Sequence, residues 1–399
     1  MATALVSDMY TAAEQRAASV TAVEERFISQ AMGRGLFATR QFREDDLIFE
    51  ETPVVSCQFV YNKEYGYRAC DQCLRSLETA ECNVRRLCQE PLLVLPHPEC
   101  ADTALPAVLL CPGCQAEYCS EECRREAWQQ HHQLLCYAPS HSDHPLTRLL
   151  VEWKQHHYPP ETLSILLLAR LLAGVLLSPD AVTASASLAR FCHASVSARD
   201  AASHKLLGPE FVQHIHALRT LMAEVFPDPR LAEWMSEEGF KSLLALVGSN
   251  GQGVASSPLA RWVTRCDDLP LKGQDRDQLD AFIDNLYEKL DSTVGTFLNT
   301  EGSGLYRLQS LLNHSCRPNA IVTFPHNSHT LQVRAVRDIA PGQPVFISYL
   351  DDCTLARSRH SRRKTLRENY VFACACERCD DETIQPDVTS DEDMDDDEQ

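Results

Sequence analysis

The residues best placed to do chemistry lie towards the C-terminal end. They are Asn313-His314-Ser315-Cys316-Arg317-Pro318-Asn319, then Tyr349, then Cys374-Ala375-Cys376-Glu377-Arg378-Cys379. The three closely spaced thiols suit a metal, because ligands from one turn can reach the same ion. Cys316 would join them as the fourth ligand of a zinc. A centre with four protein ligands leaves no position for water, so its role is structural. It would clamp the C-terminal segment over the heptapeptide and enclose a pocket between them. Tyr349 falls within the apolar stretch Phe346-Ile347-Ser348-Tyr349-Leu350. A lone tyrosine at a strand end is normally a packing residue. Its position between the heptapeptide and the thiols is what singles it out.

A second set of ligands comes in four pairs: Cys70-x2-Cys73, Cys111-x2-Cys114, Cys119-x3-Cys123 and His132-x3-Cys136. Eight donors at these spacings make two tetrahedral zinc sites, and both would be closed and structural. His132 and Cys136 are four apart and share a helix face, which favours His132 over its neighbour His131. His97 and Cys100 lie in the long stretch between Cys73 and Cys111 and are alternatives to the first pair. The remaining cysteines, Cys57, Cys82, Cys88, Cys100, Cys192, Cys266 and Cys353, read mostly as packing residues. His141, His144 and His193 have no partner at metal spacing.

Strand character is split into two blocks. The first comprises Val23–Ser29, a Gly33-Arg34-Gly35 turn, and residues 47–49 and 54–60. The second comprises residues 320–324, 331–336 and 345–350, with a turn at Pro341-Gly342. Between them lie the cysteine-rich stretch and a helical region from about 146 to 247. That region includes an apolar run at 163–177 that is broken by Arg170 and is too short for a membrane span. Further helices fit 209–226, 231–247 and 278–298. Residues 180–200 are ambiguous, and 248–257 read as a loop. The basic stretch 357–367 reads as a helix with a solvated face, with a nuclear-import signal or contact to the acidic tail as alternatives.

Composition sets the outer limits. The 399 residues have room for two or three domains, and 44% apolar content suffices for buried cores. Eighteen cysteines without a signal or transit peptide point to a reducing compartment, where clustered thiols bind zinc rather than pair. Of the net charge of −19, eleven negative charges fall in residues 380–399, which hold no Lys or Arg. Such a tail is expected to stay disordered. The balance argues against sequence-specific DNA binding and suits a basic polypeptide partner.

Together these motifs resemble the SET and MYND domain-containing protein-lysine methyltransferases, over residues 23 to 379. The resemblance implies an α+β fold. A SET-domain β-fold with a knot-like active site is interrupted by a MYND zinc finger and a helical insert, then closed by a post-SET zinc site. The implied boundaries are an N-terminal extension at 1–22, SET at 23–69 and 299–353, MYND at 70–136, the insert at 137–298, post-SET at 354–379 and the acidic tail at 380–399. MYND topology would interleave the ligands, with Cys70, Cys73, Cys119 and Cys123 on one zinc and Cys111, Cys114, His132 and Cys136 on the other. Cys316, Cys374, Cys376 and Cys379 would hold a third structural zinc.

The resemblance further implies S-adenosylmethionine as methyl donor, bound by Gly33, Arg34, Gly35, Asn250, Asn313, His314, Tyr349, Tyr370 and Phe372. Tyr349 would be catalytic. The expected activity is methyl transfer to lysines of histone tails or other basic proteins, ribosomal proteins included, by a monomer that is cytoplasmic, nuclear or both. A proline-containing peptide could dock on MYND. The alternative is an adaptor with a catalytically weak SET domain. Neither a membrane nor a specific nucleic acid is implied as partner.

Overall fold

The computed structural model describes residues 22–29, 32–64, 66–101, 107–137, 143–156, 164–188, 190–191, 209–294, 302–370 and 372–384. Residues 1–21 of the N-terminal extension, residues 385–399 of the acidic tail, His141, Leu163, Cys192 and His193 lie outside them. Among the described residues no helix is long and apolar enough to cross a membrane.

The two blocks of strands combine. β1 (Val23–Ser29) and β2 (Gly33–Ala38) form an antiparallel hairpin, with Val23 opposite Ala38. Gly33, at φ +66, takes the left-handed turn that other residues adopt at a cost. The expected turn is therefore narrower than Gly33-Arg34-Gly35, since Arg34 and Gly35 already run along β2. β3 (Leu47–Glu51) pairs with β11 (Leu331–Ala335), which pairs with β10 (Ala320–Thr323). β4 (Val55–Gln58) joins β8 (Gly302–Leu305), which joins β7 (Gly251–Val254). β5 (Leu109–Leu110) and β6 (Glu117–Tyr118) make a small hairpin among the cysteines.

The last pairing is parallel: β9 (Asn313–His314) runs beside β12 (Phe346–Ile347). The expected strand at 345–350 is thus only two residues long, and side chains finish what the ladder leaves. Asn319 accepts the Phe346 N–H at 2.7 Å and donates to the Pro344 carbonyl at 2.9 Å. On the other side, the Val345 N–H reaches the Leu36 carbonyl of β2 at 2.8 Å. The chain from 313 to 347 thus returns to lie parallel beside its own start and is pinned to the N-terminal hairpin. Ile48, Leu331, Val333, Ala335, Ile339 and Val345 form the core beneath.

Residues 248–254 are not a loop, although 255–257 are. Helix Glu237–Asn250 runs directly into β7, because Gly251 and Gly253 pair with Leu305 and Ser303. The apolar run is the buried helix Ile165–Leu177, capped by the Ser164 hydroxyl. Residues 181–188, within the ambiguous stretch, form a helix. The stretch between Cys73 and Cys111 contains a helix, Ala80–Leu87, that the sequence pattern did not reveal. Its Val84 and Leu87 share one core with Trp262 of helix Pro258–Asp267 and with Leu286 and Leu290 of helix Gln274–Val294. That core crosses the boundary expected at 136–137.

Candidate active site and metal centres

Three groups of four donors converge, and each is the set expected: Cys70, Cys73, Cys119, Cys123; Cys111, Cys114, His132, Cys136; and Cys316, Cys374, Cys376, Cys379. Within each group the donor atoms lie within 4.8 Å of one another. Representative Sγ···Sγ separations are 3.6 Å for Cys73–Cys119, 3.6 Å for Cys111–Cys136 and 3.6 Å for Cys316–Cys379. A tetrahedral zinc with bonds of about 2.3 Å sets its sulfurs about 3.8 Å apart, whereas a disulfide needs about 2.05 Å. The donor sets therefore fit zinc and not disulfides.

His132 presents Nε2 to Cys111 and Cys114, at 3.3 Å from each. Its Nδ1 lies 4.0 Å from Asp71 Oδ2, the carboxylate placement that orients ligating histidines. His131 points elsewhere: its Nε2 meets Gln72 Oε1 at 3.2 Å, and burial pushes its pKa well below the usual range. His97 pairs with Glu99, and Cys100 is buried against Cys266, so neither substitutes for the first pair.

The C-terminal centre has supports that the sequence pattern misread. Arg362, in the basic helix Arg359–Tyr370, is fully buried. Its guanidinium donates to Glu382 at 2.6 Å and approaches Cys379 Sγ at 3.7 Å. Arg359 Nε donates to the Cys379 carbonyl at 2.7 Å, and Arg378 holds Glu382 from the other side at 2.9 Å. Part of this basic stretch therefore holds the metal centre rather than facing solvent. Residues 380–384, assigned to the tail, belong to this centre as well.

Tyr349 stands against three rings. Tyr370 is 4.9 Å away between centroids, His314 5.4 Å and Phe372 6.2 Å, the last edge-on. The Tyr349 hydroxyl donates to the Leu312 carbonyl at 2.7 Å, and Tyr370 donates its own hydroxyl to the Tyr349 carbonyl at 3.2 Å. Burial pushes the Tyr370 phenol up, so it stays a donor. Leu312 ends the turn Gln309–Leu311, which is held by half-buried Glu51. That carboxylate accepts the N–H groups of Arg307, Leu308 and Gln309.

The glycine strand and the heptapeptide meet. Asn313 donates its side-chain amide to the Arg34 carbonyl at 2.8 Å. A Cβ on Gly35 would come within 2.8 Å of Asn313 Nδ2 and 2.5 Å of Ile28 Cδ1, so a larger residue there would displace these two side chains. The Arg34 guanidinium pairs with Glu25 at 2.6 Å and with the Arg190 carbonyl. His314 accepts the Tyr349 N–H on Nδ1 at 3.0 Å and lies 3.3 Å from Cys316 Sγ through Nε2. Burial pushes its pKa down to about 4, which keeps the ring neutral. Asn250 is buried at the end of its helix and donates to the Leu246 carbonyl at 2.8 Å. Next to it, Gln252 accepts from Gln309 at 2.9 Å, joining this helix end to the turn before Leu312. Arg362, Glu51 and Gln309 had no motif around them to mark them in the sequence.

A fold knotted around Tyr349 and carrying these metal centres defines a SET-domain protein, and the family model for the SET domain matches residues 33–350. The protein-lysine N-trimethyltransferase SMYD5 of Gallus gallus is 50% identical over 371 residues, 92% of this chain and 88% of that protein. SMYD5 of Danio rerio is 46% identical over 97% of this chain and 94% of its own length. The N-lysine methyltransferase SMYD2 of Rattus norvegicus is 26% identical over 89% of this chain and 60% of its own. This chain thus belongs to the SET and MYND domain-containing protein-lysine methyltransferase family. Among solved structures, the SET domain of LSMT bound to lysine and AdoHcy aligns over 92% of this chain and 57% of that one. At TM-score 0.31 and 10% identity that likeness carries no argument.

Proposed function

We propose that this chain, an S-adenosylmethionine-dependent protein-lysine N-methyltransferase, acts on lysines of basic proteins, histone tails and ribosomal proteins foremost. The observation that supports the reading best is the setting of Tyr349. Its hydroxyl proton is committed to the Leu312 carbonyl, and a hydroxyl oxygen that donates still has lone pairs able to accept. Tyr349 would therefore receive an N–H of the substrate amine and aim the nitrogen lone pair along the line of attack. Orientation, not proton abstraction, is its work.

S-adenosylmethionine supplies an electrophilic methyl on a sulfonium when bound. Gly33, Arg34 and Gly35 would face it with backbone, and Asn313, Asn250, Tyr370 and Phe372 would complete its walls. Free lysine, with a pKa of about 10.4, enters protonated. A channel lined by Tyr349, Tyr370 and Phe372 disfavours the ammonium by desolvation and so promotes loss of the proton before transfer. The net negative charge of the chain favours encounter with a basic polypeptide. Residues 23–69 and 299–353 would act as one catalytic unit with 354–379 as its closing segment. The proposed setting is the cytoplasm, the nucleus or both, as a monomer, with the MYND module open to a proline-containing peptide.

The test pairs wild type with Tyr349→Phe, using tritiated S-adenosylmethionine and two substrate pools, core histones and a ribosomal-protein fraction. Loss of the hydroxyl is expected to cut label by roughly a hundredfold or more, with donor affinity kept. Donor binding without label in either pool would turn the reading towards an adaptor.

A further inference from the structure

We propose that His314 is a positioning residue, a brace between the Tyr349 main chain and the Cys316 thiolate of the C-terminal metal centre, and not a side-chain ligand of the methyl donor. The inference rests on the reading of Tyr349 given above. It departs from what the family resemblance implied for the heptapeptide, in which Asn313 and His314 both bind donor.

Both ring nitrogens of His314 are already engaged. Nδ1 lies 3.0 Å from the Tyr349 nitrogen, which can only donate, so Nδ1 carries no proton. The neutral ring therefore carries its proton on Nε2, which faces Cys316 Sγ at 3.3 Å. An imidazole with both nitrogens engaged inside the protein has no polar atom left for a ligand. His314 is 6% exposed, and its ring lies against Tyr349 at 5.4 Å and Phe372 at 6.1 Å, both tilted.

The brace is needed because the backbone ladder stops short. β12 ends at Ile347, and the final main-chain bond across it runs from Ser315 N–H to the Ile347 carbonyl at 2.9 Å. Tyr349 lies two residues beyond. Its N–H is held by His314, its carbonyl by Tyr370 and its hydroxyl by Leu312. Two of these holds lead back to the same metal centre. His314 reaches it through Cys316, and Tyr370 ends the helix that carries Arg362. The metal centre would thus set the position of Tyr349 as well as close the pocket.

Two substitutions separate the two bonds. In His314→Asn the side-chain oxygen takes the place of Nδ1 and keeps the acceptor for Tyr349, but the donor to sulfur is lost. In His314→Gln the amide nitrogen takes the place of Nε2 and keeps that donor, but the acceptor is lost. Full-length protein is assayed for donor affinity by calorimetry, for zinc release to a chromogenic chelator, and for kcat at saturating donor. His314→Asn is expected to release one zinc at least tenfold faster. His314→Gln is expected to lower kcat at least tenfold with zinc release near wild type. In both, donor Kd should stay within about threefold.

A tenfold weaker donor Kd with normal zinc release would make His314 a ligand and overturn the proposal. Should either variant fail to fold, imidazole 15N spectra of wild type decide the matter. The Nε2–H form should persist when donor is added, and a donor-induced shift at Nδ1 would count against the brace. Tyr349→Phe runs alongside. If it transfers methyl as well as wild type, the reading of Tyr349 fails, while zinc release and the 15N spectra still test the brace.

Discussion

At the scale of single residues, placement depends on which atom faces which partner, as His131 and His132 demonstrate. Side by side in sequence, one faces two thiols and the other a glutamine. Helical spacing predicted that choice, because only His132 shares a face with Cys136. His131 then carries a testable consequence of its own. It is almost wholly buried near Arg170, and its pKa is pushed well below 6.5 by burial first and that guanidinium second. A histidine whose folded pKa is depressed leaves its contribution intact above the unfolded value and loses it as pH falls below about 6.5. One proton bounds the effect at about 1.4 kcal/mol per pH unit. His131→Gln cannot take up that proton and can still donate to Gln72. Thermal melts of the pair with zinc present should show wild type losing its relative advantage between pH 7.5 and 5.5. Melting curves that stay parallel over that range would refute it.

Elements show where sequence patterns carry far and where they stop. The twelve metal ligands were legible because chelation leaves short fixed spacings and the family resemblance implied how they divide among three centres. Strand β11 was legible because Leu331, Val333 and Ala335 recur with a period of two and are buried, whereas β1 was legible although Val23 alone of its residues is buried. β7 was not, since Gly251-Gln252-Gly253 has no apolar period and forms only because β8 offers a partner. The helix Arg359–Tyr370 misleads in the opposite way: its charges suggest solvent, yet Arg362 is fully buried beside the thiolates. Four thiolates on one divalent ion carry excess negative charge, and a buried guanidinium offsets it. Arg362→Leu removes that offset and leaves Glu382 with Arg378 as its remaining arginine partner, at a cost of roughly 2–3 kcal/mol confined to this segment. Metal analysis should find the variant with nearer two zinc ions than three. Retention of all three would assign Arg362 to packing alone.

Across the whole molecule the parts meet at one buried ion pair. Arg170 of helix Ile165–Leu177 donates to the Ser56 carbonyl of β4 at 2.8 Å, and to the Asp71 carbonyl and carboxylate at 2.7 Å each. Asp71 stands between Cys70 and Cys73 in sequence and faces His132 of the other MYND centre. One guanidinium thus ties the helical insert, the SET strands and both MYND metal centres. Burying such a pair is weak support for stability in itself, because desolvation offsets most of the attraction. Breaking it is another matter, since the Asp71 side chain would be left charged at 8% exposure without its guanidinium. Arg170→Met should therefore cost roughly 3–5 kcal/mol, while the double variant Arg170→Met with Asp71→Asn should recover part of that by removing the stranded charge. The expected signature is joint: melting temperature falls, zinc leaves the MYND centres faster, and methyl transfer drops although Arg170 touches no site residue. If melting temperature falls while MYND zinc is held normally, the pair stabilises the insert alone, and the three parts are less tightly joined than this web of bonds implies.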